Sequence, residues 1–560
     1  MDDEIKDVQS DIGITLKKTA GYKSGHYTEF VSTVAQANRT EILKAISRVL
    51  WHIWNHNAPP QGRESEYELC RAYLSRIAAI AAGKSQATGG EENIGERILI
   101  ELAGRFSAIT ESITDDNFFT QEELPRFENA IKNHEIFKHG ILDQAFIRGH
   151  AARLTIIRIM RSQWDFRGVQ PKGLLRAWDI ANRLDDWHEL QILPRLRRNL
   201  NIELKDFLRA GFAILTAGNS ATPGFITENF LRCDSEVANK LNLDKDALLL
   251  VADRMSRSFN EFLNWNNEVV AQFPDPYRKY ASHPLVSSPL IRLDSTFEDL
   301  AADERAFLCP SASHLLWRIQ SSAIDSICNL KYADEIDIRA DLGEAISEYL
   351  FDFLVLTCGK ENVIDLDEIY GDKKRKKGKR NNQKKHADYV VMAGTLAIVI
   401  ESKTSIGSSL AKSIASPEEV VDAWSRIYSA YRQCAHTING DIWTKNAVLA
   451  KAKQFVSIVC FDELICPEGA AFNDYAVASG IWKDLNIGCA EVMSLQELED
   501  FTSRLGPAQL GFLIQAKWFR KKHAAMFHSF ISGENVKLGP PRADHLRPAS
   551  EALFPGFKMF

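Results

Sequence analysis

The stretch HADYVVMAGTLAIVIESKTS, residues 386–405, sets three charged side chains, Asp388, Glu401 and Lys403, at the ends of two apolar runs. Charges rarely occur where a strand is covered on both faces, so these three need a purpose. Two carboxylates brought to one spot repel each other unless a cation lies between them. Hard oxygen donors with room left for water suit Mg2+ or Mn2+. Such an ion polarises a phosphoryl oxygen and lowers the pKa of an attacking water. A lysine two residues beyond Glu401, on the same strand face, orients that water or stabilises charge on the phosphorane. Together the three residues form a chemically sufficient minimum for metal-assisted hydrolysis of a phosphodiester. The plain alternative is a solvated strand end where Glu401 and Lys403 pair with each other, worth ~0–1 kcal/mol.

That chemistry depends on the elements around it. In TLAIVIESK, Thr395, Ala397, Val399, Glu401 and Lys403 share one face, and Leu396, Ile398 and Ile400 share the other. Both faces are apolar, which predicts a central, doubly covered strand with its charges confined to the C-terminal end. HADYVVMAG reads as the preceding strand, with a tight turn near Ala393-Gly394-Thr395. DLGEAISEYLFDFLVL reads as a helix, NVIDLDEI and KQFVSIVCFDEL as strands, and PEEVVDAWSRIYSAYRQCAHTI as a long helix opened by Pro417 and two glutamates. SLQELEDFTSRL and the segment around FLIQAKWFRKKH read as further helices. Helix–strand–strand–helix–strand is the order of helices packed on a sheet.

Asp388, Glu401 and Lys403 resemble the D…(D/E)xK signature of the PD-(D/E)xK nuclease superfamily, which includes many restriction enzymes and Holliday-junction resolvases. The resemblance spans about residues 340–465. It implies a restriction-endonuclease-like α/β sandwich with a mixed central sheet; with the helical periodicity that precedes it, the expected architecture is α+β, a large all-helical N-terminal region, residues 1–310, followed by the nuclease-like domain, residues 311–560, including a C-terminal helical extension. It also implies that Asp388 and Glu401 hold Mg2+ or Mn2+ with help from the backbone carbonyl of Ser402, while Lys403 acts on water or on the transition state. The leading helix of such proteins often adds an acidic residue, here Glu348 by preference, with Glu344 one turn away as the alternative. The helix after the motif often adds a glutamine, here Gln433, with Tyr431 and Arg432 as neighbours able to reach phosphate. The proline that precedes the first aspartate in the family pattern is replaced by Ala387. The implied activity is a metal-dependent endonuclease acting on DNA ahead of RNA, and the build suits bacterial defence against foreign DNA. Two rival expectations stand beside it: an inactive nuclease fold that only binds nucleic acid or protein, and an RNA nuclease. Double-strand cutting would call for a homodimer, although no coiled-coil heptads support one, and the helical region would serve a protein partner or position the catalytic unit.

Lys373, Lys374, Arg375, Lys376, Lys377, Lys379, Arg380, Lys384 and Lys385 form a basic run just before Asp388. It cannot pack a core, and its place beside the motif suits it to grip substrate phosphates with salt-dependent, sequence-independent affinity. It lacks interleaved aromatic residues and so is no base-stacking platform.

The rest of the chain supplies bulk and exclusions. With 560 residues it is too long for one ordinary core. A net charge of −6 excludes a globally basic nucleic-acid coat, so polyanion binding must be local. Nine scattered cysteines without a CxxC pair argue against a disulfide framework and a structural zinc site. The acidic N-terminus lacks the apolar segment of a signal peptide, and no apolar run reaches the ~18 residues of a membrane span, so a cytoplasmic location is expected. From about residue 26 to 275 helices follow one another, with Gly83 read as a C-cap, and the proline-rich stretch 274–312 reads as a connector. His52 and His56, one helical turn apart, read as packed or capping histidines, and Ala82-Gly83-Lys84-Ser85 lacks the first glycine of a phosphate-binding loop.

Overall fold

The computed structural model describes residues 26–56, 62–110, 123–134, 157, 170–187, 192–220, 222–232, 236–243, 245–273, 278–295, 297, 305–328, 338–370, 386–404, 416–462, 466–540 and 542–557. The basic run of residues 373–385 lies outside them, as does almost all of 135–169, part of the stretch read as successive helices.

The N-terminal part is built on helices whose apolar residues recur every three or four positions. Helix α1 (Tyr27–Ala35), α2 (Glu64–Lys84), α3 (Glu96–Thr110) and α4 (Glu123–Asn133) come first, and α5 (Lys172–Trp187) follows. Almost all of α2 from Tyr67 to Gly83 is buried, because neighbours cover it on every side. Gly83 is not a C-cap. The helix runs past it, and a Cβ there would lie 2.7 Å from the Phe262 carbonyl oxygen, so glycine is what lets the next helix come so close.

This part is not all helical. Strands β1 (Phe225–Thr227), β2 (Ser256–Ser258), β3 (Leu290–Arg292) and β4 (Ala306–Leu308) form a sheet of order β1-β4-β3-β2. Two of these strands come from the stretch read as a connector, and β1 and β2 from the stretch read as helices following one another. Strands of three residues complete barely one alternation, which leaves periodicity nothing to register. His52 and His56 stack on each other with ring centroids 4.2 Å apart, and both are exposed, so they are not packed. The His56 ring nitrogen lies 3.0 Å from the His52 carbonyl, as a cap on its own helix would.

Helix α6 (Ala312–Cys328) follows the expected boundary at residue 310 and packs on the 204–217 helix, on α5 and on α7 (Ile338–Cys358). The C-terminal part centres on a mixed sheet of order β5-β6-β7-β8-β9: β5 (Val363–Asp365), β6 (Tyr389–Ala393), β7 (Leu396–Lys403), β8 (Gln454–Phe461) and β9 (Cys489–Ser494). NVIDLDEI gives the short β5 and then a helical turn, Leu366–Tyr370. The first two pairings are antiparallel and the last two parallel, with β7 in the middle. Its Ala397 and Val399 face α8 (Pro417–Ile438) and α9 (Pro467–Ala478), whereas Ile398 and Ile400 face α7, α10 (Leu495–Leu505) and α11 (Pro507–Phe519). Both faces are thus covered, as the apolar alternation requires. Helix α8 begins as its sequence predicts: Ser416 caps it in a capping box with Glu419, and Pro417 takes the first turn.

Parts of the chain remote in sequence brace this sheet. Helix α4 lies on α8 through Phe127 against Trp424, ring centroids 5.8 Å apart, and through a bidentate Arg126–Glu418 pair at 2.9 and 2.8 Å. Helix α5 meets α7 and α10 through a buried polar network. Arg176 donates to both oxygens of Glu499 at 3.1 and 3.0 Å, Lys172 to Asp500 at 2.6 Å, and the Tyr349 hydroxyl to Glu499 at 2.7 Å. Among the described residues no helix is long and apolar enough to cross a membrane.

Candidate active site

The site forms where β6 begins and β7 ends. Asp388 lies one residue before β6, and its N–H donates to the Ile400 carbonyl at 3.0 Å. Its carboxylate reaches across to β7, where Oδ2 accepts from the Ser402 N–H at 2.7 Å and from the Ser402 hydroxyl at 2.8 Å. Glu401 is only 1% exposed and accepts a hydrogen bond from the Lys403 ammonium. Lys403 Nζ also donates to Gln433 Oε1 of α8 at 2.8 Å. The amide of Gln433 faces the other way and donates to the His386 carbonyl at 3.3 Å. One turn on, the Thr437 hydroxyl accepts from the Ala387 N–H at 2.9 Å. Helix α8 therefore grips the chain just ahead of Asp388 while it holds the tip of Lys403.

Electrostatics report the same convergence. The buried Cys434 thiol of α8 is pushed well above its ordinary pKa by burial, and then by Glu401 and Asp388, while Lys403 pulls it back. Cys460, opposite Ser402 on β8, is likewise raised by burial, then by Asp388 and Glu401. Both thiols stay protonated at neutral pH and are therefore poor nucleophiles. Both thiols feel Asp388 and Glu401 together, and Cys434 feels Lys403 as well.

Of the residues singled out in the sequence, Asp388, Glu401, Ser402, Lys403 and Gln433 come together. Ser402, expected to offer its carbonyl, uses its N–H and hydroxyl to fix Asp388. Glu344 and Glu348 are half-buried on α7, which packs on the sheet face opposite α8. Their helix neighbours lie near the site: the Ser347 hydroxyl is 2.7 Å from the Tyr389 hydroxyl, and the Cβ position of Gly343 is 3.6 Å from Thr404. Tyr431 points away into the core, donating to Asn473 at 2.9 Å, and Arg432 lies over the Tyr428 ring.

Sequence reading missed the surroundings of His386. Its ring stacks on Tyr370 with centroids 4.3 Å apart and planes 12° apart, and its Nε2 lies 3.6 Å from Asp367. Tyr370 is the last described residue before the segment carrying the basic run, and His386 is the first after it. No local pattern couples the two, so this contact gives no sequence signal. Thr437 gave a weak one, falling four positions after Gln433 on the same helical face.

Among the described residues no group of three or more His, Cys, Asp or Glu side chains is arranged to hold a metal ion. No known protein family, curated protein or solved structure matches the chain.

Proposed function

We propose that the chain is a Mg2+- or Mn2+-dependent nuclease of the PD-(D/E)xK type, with a restriction-endonuclease-like C-terminal domain, and that it cuts DNA internally. The observation that carries this reading is the meeting of Asp388, Glu401 and Lys403 at one strand end, with Gln433 holding the lysine. Two carboxylates form a hard-oxygen donor set that suits Mg2+, an ion that keeps several waters and shares its remaining positions with substrate phosphate. Bound there, the ion would polarise the scissile phosphate and acidify a water. Asp388, locked by two donors from Ser402, keeps a fixed carboxylate at the ion's place. Lys403 presents its ammonium to the charge that grows on the phosphoryl oxygens. The burial of Glu401 and the nearness of Cys434 keep bulk water from the floor of the site. The basic run, which ends three residues before Asp388 in the sequence, supplies phosphate affinity.

One observation favours the rival reading of a catalytically silent clamp: Lys403 is bonded directly to Glu401, taking an oxygen that a metal would use. A supercoiled plasmid decides between them. With Mg2+ the protein should nick or linearise it, with EDTA it should not, and Glu401→Ala and Lys403→Ala should each lose at least about a hundredfold in rate. Binding without cleavage in Mg2+ and in Mn2+, or cleavage that survives both substitutions, removes the nuclease reading. Labelled DNA and RNA strands run side by side separate a DNA from an RNA nuclease.

A further inference from the structure

Four lysines or arginines are buried among the described residues: Arg76, Lys172, Arg176 and Lys517. Three have a carboxylate. Arg176 meets Glu499, Lys172 meets Asp500, and Lys517 meets Glu491 at 2.5 Å. Arg76, on α2 and 2% exposed, has none among the described residues. Its guanidinium donates to the Ala281 carbonyl and lies 5.7 Å from the Phe106 ring, and its Nε has no hydrogen-bond partner.

The surroundings of Arg76 are polar and incompletely paired, with further positive charge from Arg278 acting on Tyr27. Tyr73 accepts from the Thr110 hydroxyl at 3.0 Å, and Tyr280 donates to the Thr110 carbonyl at 3.0 Å. The His283 and His314 rings are 5.3 Å apart, and His314 Nδ1 is 2.9 Å from the Ser311 hydroxyl. The Tyr27 hydroxyl and His283 Nδ1 are buried without a partner. Both groups lie near Arg76: Tyr27 packs on the same Phe106 ring, centroids 6.3 Å apart, and His283 is two residues beyond the Ala281 carbonyl that Arg76 holds. In keeping with this, Arg76 lowers the Tyr27 pKa against the rise that burial causes, and it adds to the burial that holds His283 well below its ordinary pKa. His283 is therefore neutral at pH 7 and has a ring N–H to give. Burial pulls the Arg76 pKa down to about 10, and only tyrosines oppose it. The group still carries its charge at neutral pH, and a buried charge without a counter-ion is the costliest arrangement a core can hold.

We propose that Arg76, His283 and Tyr27 form an internal site for one small oxyanion, a phosphate or carboxylate group, which enters beside α1 and completes the charge balance of the N-terminal core. Guanidinium, imidazole N–H and phenol O–H are all donors, the set that an oxyanion takes. Tyr27, 9% exposed, is the most accessible of the three and sets the way in. This site is separate from Asp388 and Glu401 and does not depend on the nuclease reading.

The test is calorimetry and thermal melting of the full chain with sodium phosphate, sodium acetate or sodium chloride at matched ionic strength. One of the two oxyanions should bind with a stoichiometry near one and raise Tm saturably, by about 1–3 °C at tenfold excess over Kd. Chloride should not. Arg76→Met should abolish that binding, leaving only the unsaturable rise that salts give any protein. Phosphate alone points to a phosphorylated ligand or free phosphate, and acetate alone to a carboxylate ligand. Failure of both oxyanions to bind, or equal binding by Arg76→Met, overturns the proposal. Should Arg76→Met not fold, Tyr27→Phe decides the matter: a drop of about tenfold in affinity supports the site, and an unchanged affinity ends it.

Discussion

The two cores of this molecule handle buried charge in opposite ways. Around the five-stranded sheet, Arg176, Lys172 and Lys517 sit against carboxylates, and Tyr349 adds its hydroxyl to Glu499. In the N-terminal core, Arg76 sits among rings and hydroxyls with no carboxylate beside it among the described residues, while α2 packs so closely that only glycine fits against Phe262. The first arrangement is complete within the chain and fastens helices distant in sequence to the sheet. The second relies on apolar contact and leaves a charge for something else to balance. Burial of an ion is thus a local matter: the same residue type acts as a clamp in one core and as an open valence in the other.

That contrast is open to attack by substitution. Arg176→Met leaves the Glu499 carboxylate buried without its arginine and should cost about 3–5 kcal/mol in urea unfolding. A loss below about 1 kcal/mol would mean that the network carries no weight. Gly83→Ala forces a methyl group to 2.7 Å from the Phe262 carbonyl oxygen and should cost about 1–3 kcal/mol. A neutral result would show that the helices of the N-terminal core can slide apart. The acid limb of stability tests the sheet core again. Burial raises the Glu499 pKa, but Arg176 and Lys172 outweigh it, so the folded value lies below the ordinary one. Its stabilisation is complete above the usual glutamate range and disappears as pH falls through the folded value. Glu499→Gln should therefore flatten the fall in the urea midpoint between about pH 5 and pH 3, and parallel slopes for the two proteins would contradict the pairing. The smallest effect is expected for Arg76→Met in buffer free of oxyanions, within about 1 kcal/mol of the parent or on the stabilising side, because it removes an uncompensated charge. A loss as large as that of Arg176→Met would erase the difference between the cores.

The sheet that carries the candidate site was legible because its strands are long and its signals repeat. TLAIVIESK alternates over a full strand and breaks into charge only at its end, and Ser416-Pro417-Glu418-Glu419 announces the start of α8. Gln433 was singled out by the family resemblance, and it does reach Lys403. The four-stranded sheet was not, since FIT, SRS, LIR and AFL are too short to show a period. Arg76 was hidden for a different reason. In an amphipathic helix an arginine marks the wet side, and α2 has no wet side over most of its length. Gly83 misled because a glycine near a helix end looks the same whether it stops the helix or admits a neighbour. The lock of Asp388 by Ser402 is a matter of reach between strand ends, which no spacing rule encodes.

The Tyr370–His386 stack has an engineering consequence. Two residues that bracket a stretch of chain here hold each other by their rings, with centroids 4.3 Å apart, so the two anchor points are fixed side by side just ahead of β6. A change of length between Tyr370 and His386 is therefore expected to leave the start of β6 in place. The stack makes this the natural graft point on the molecule, within two residues of Asp388.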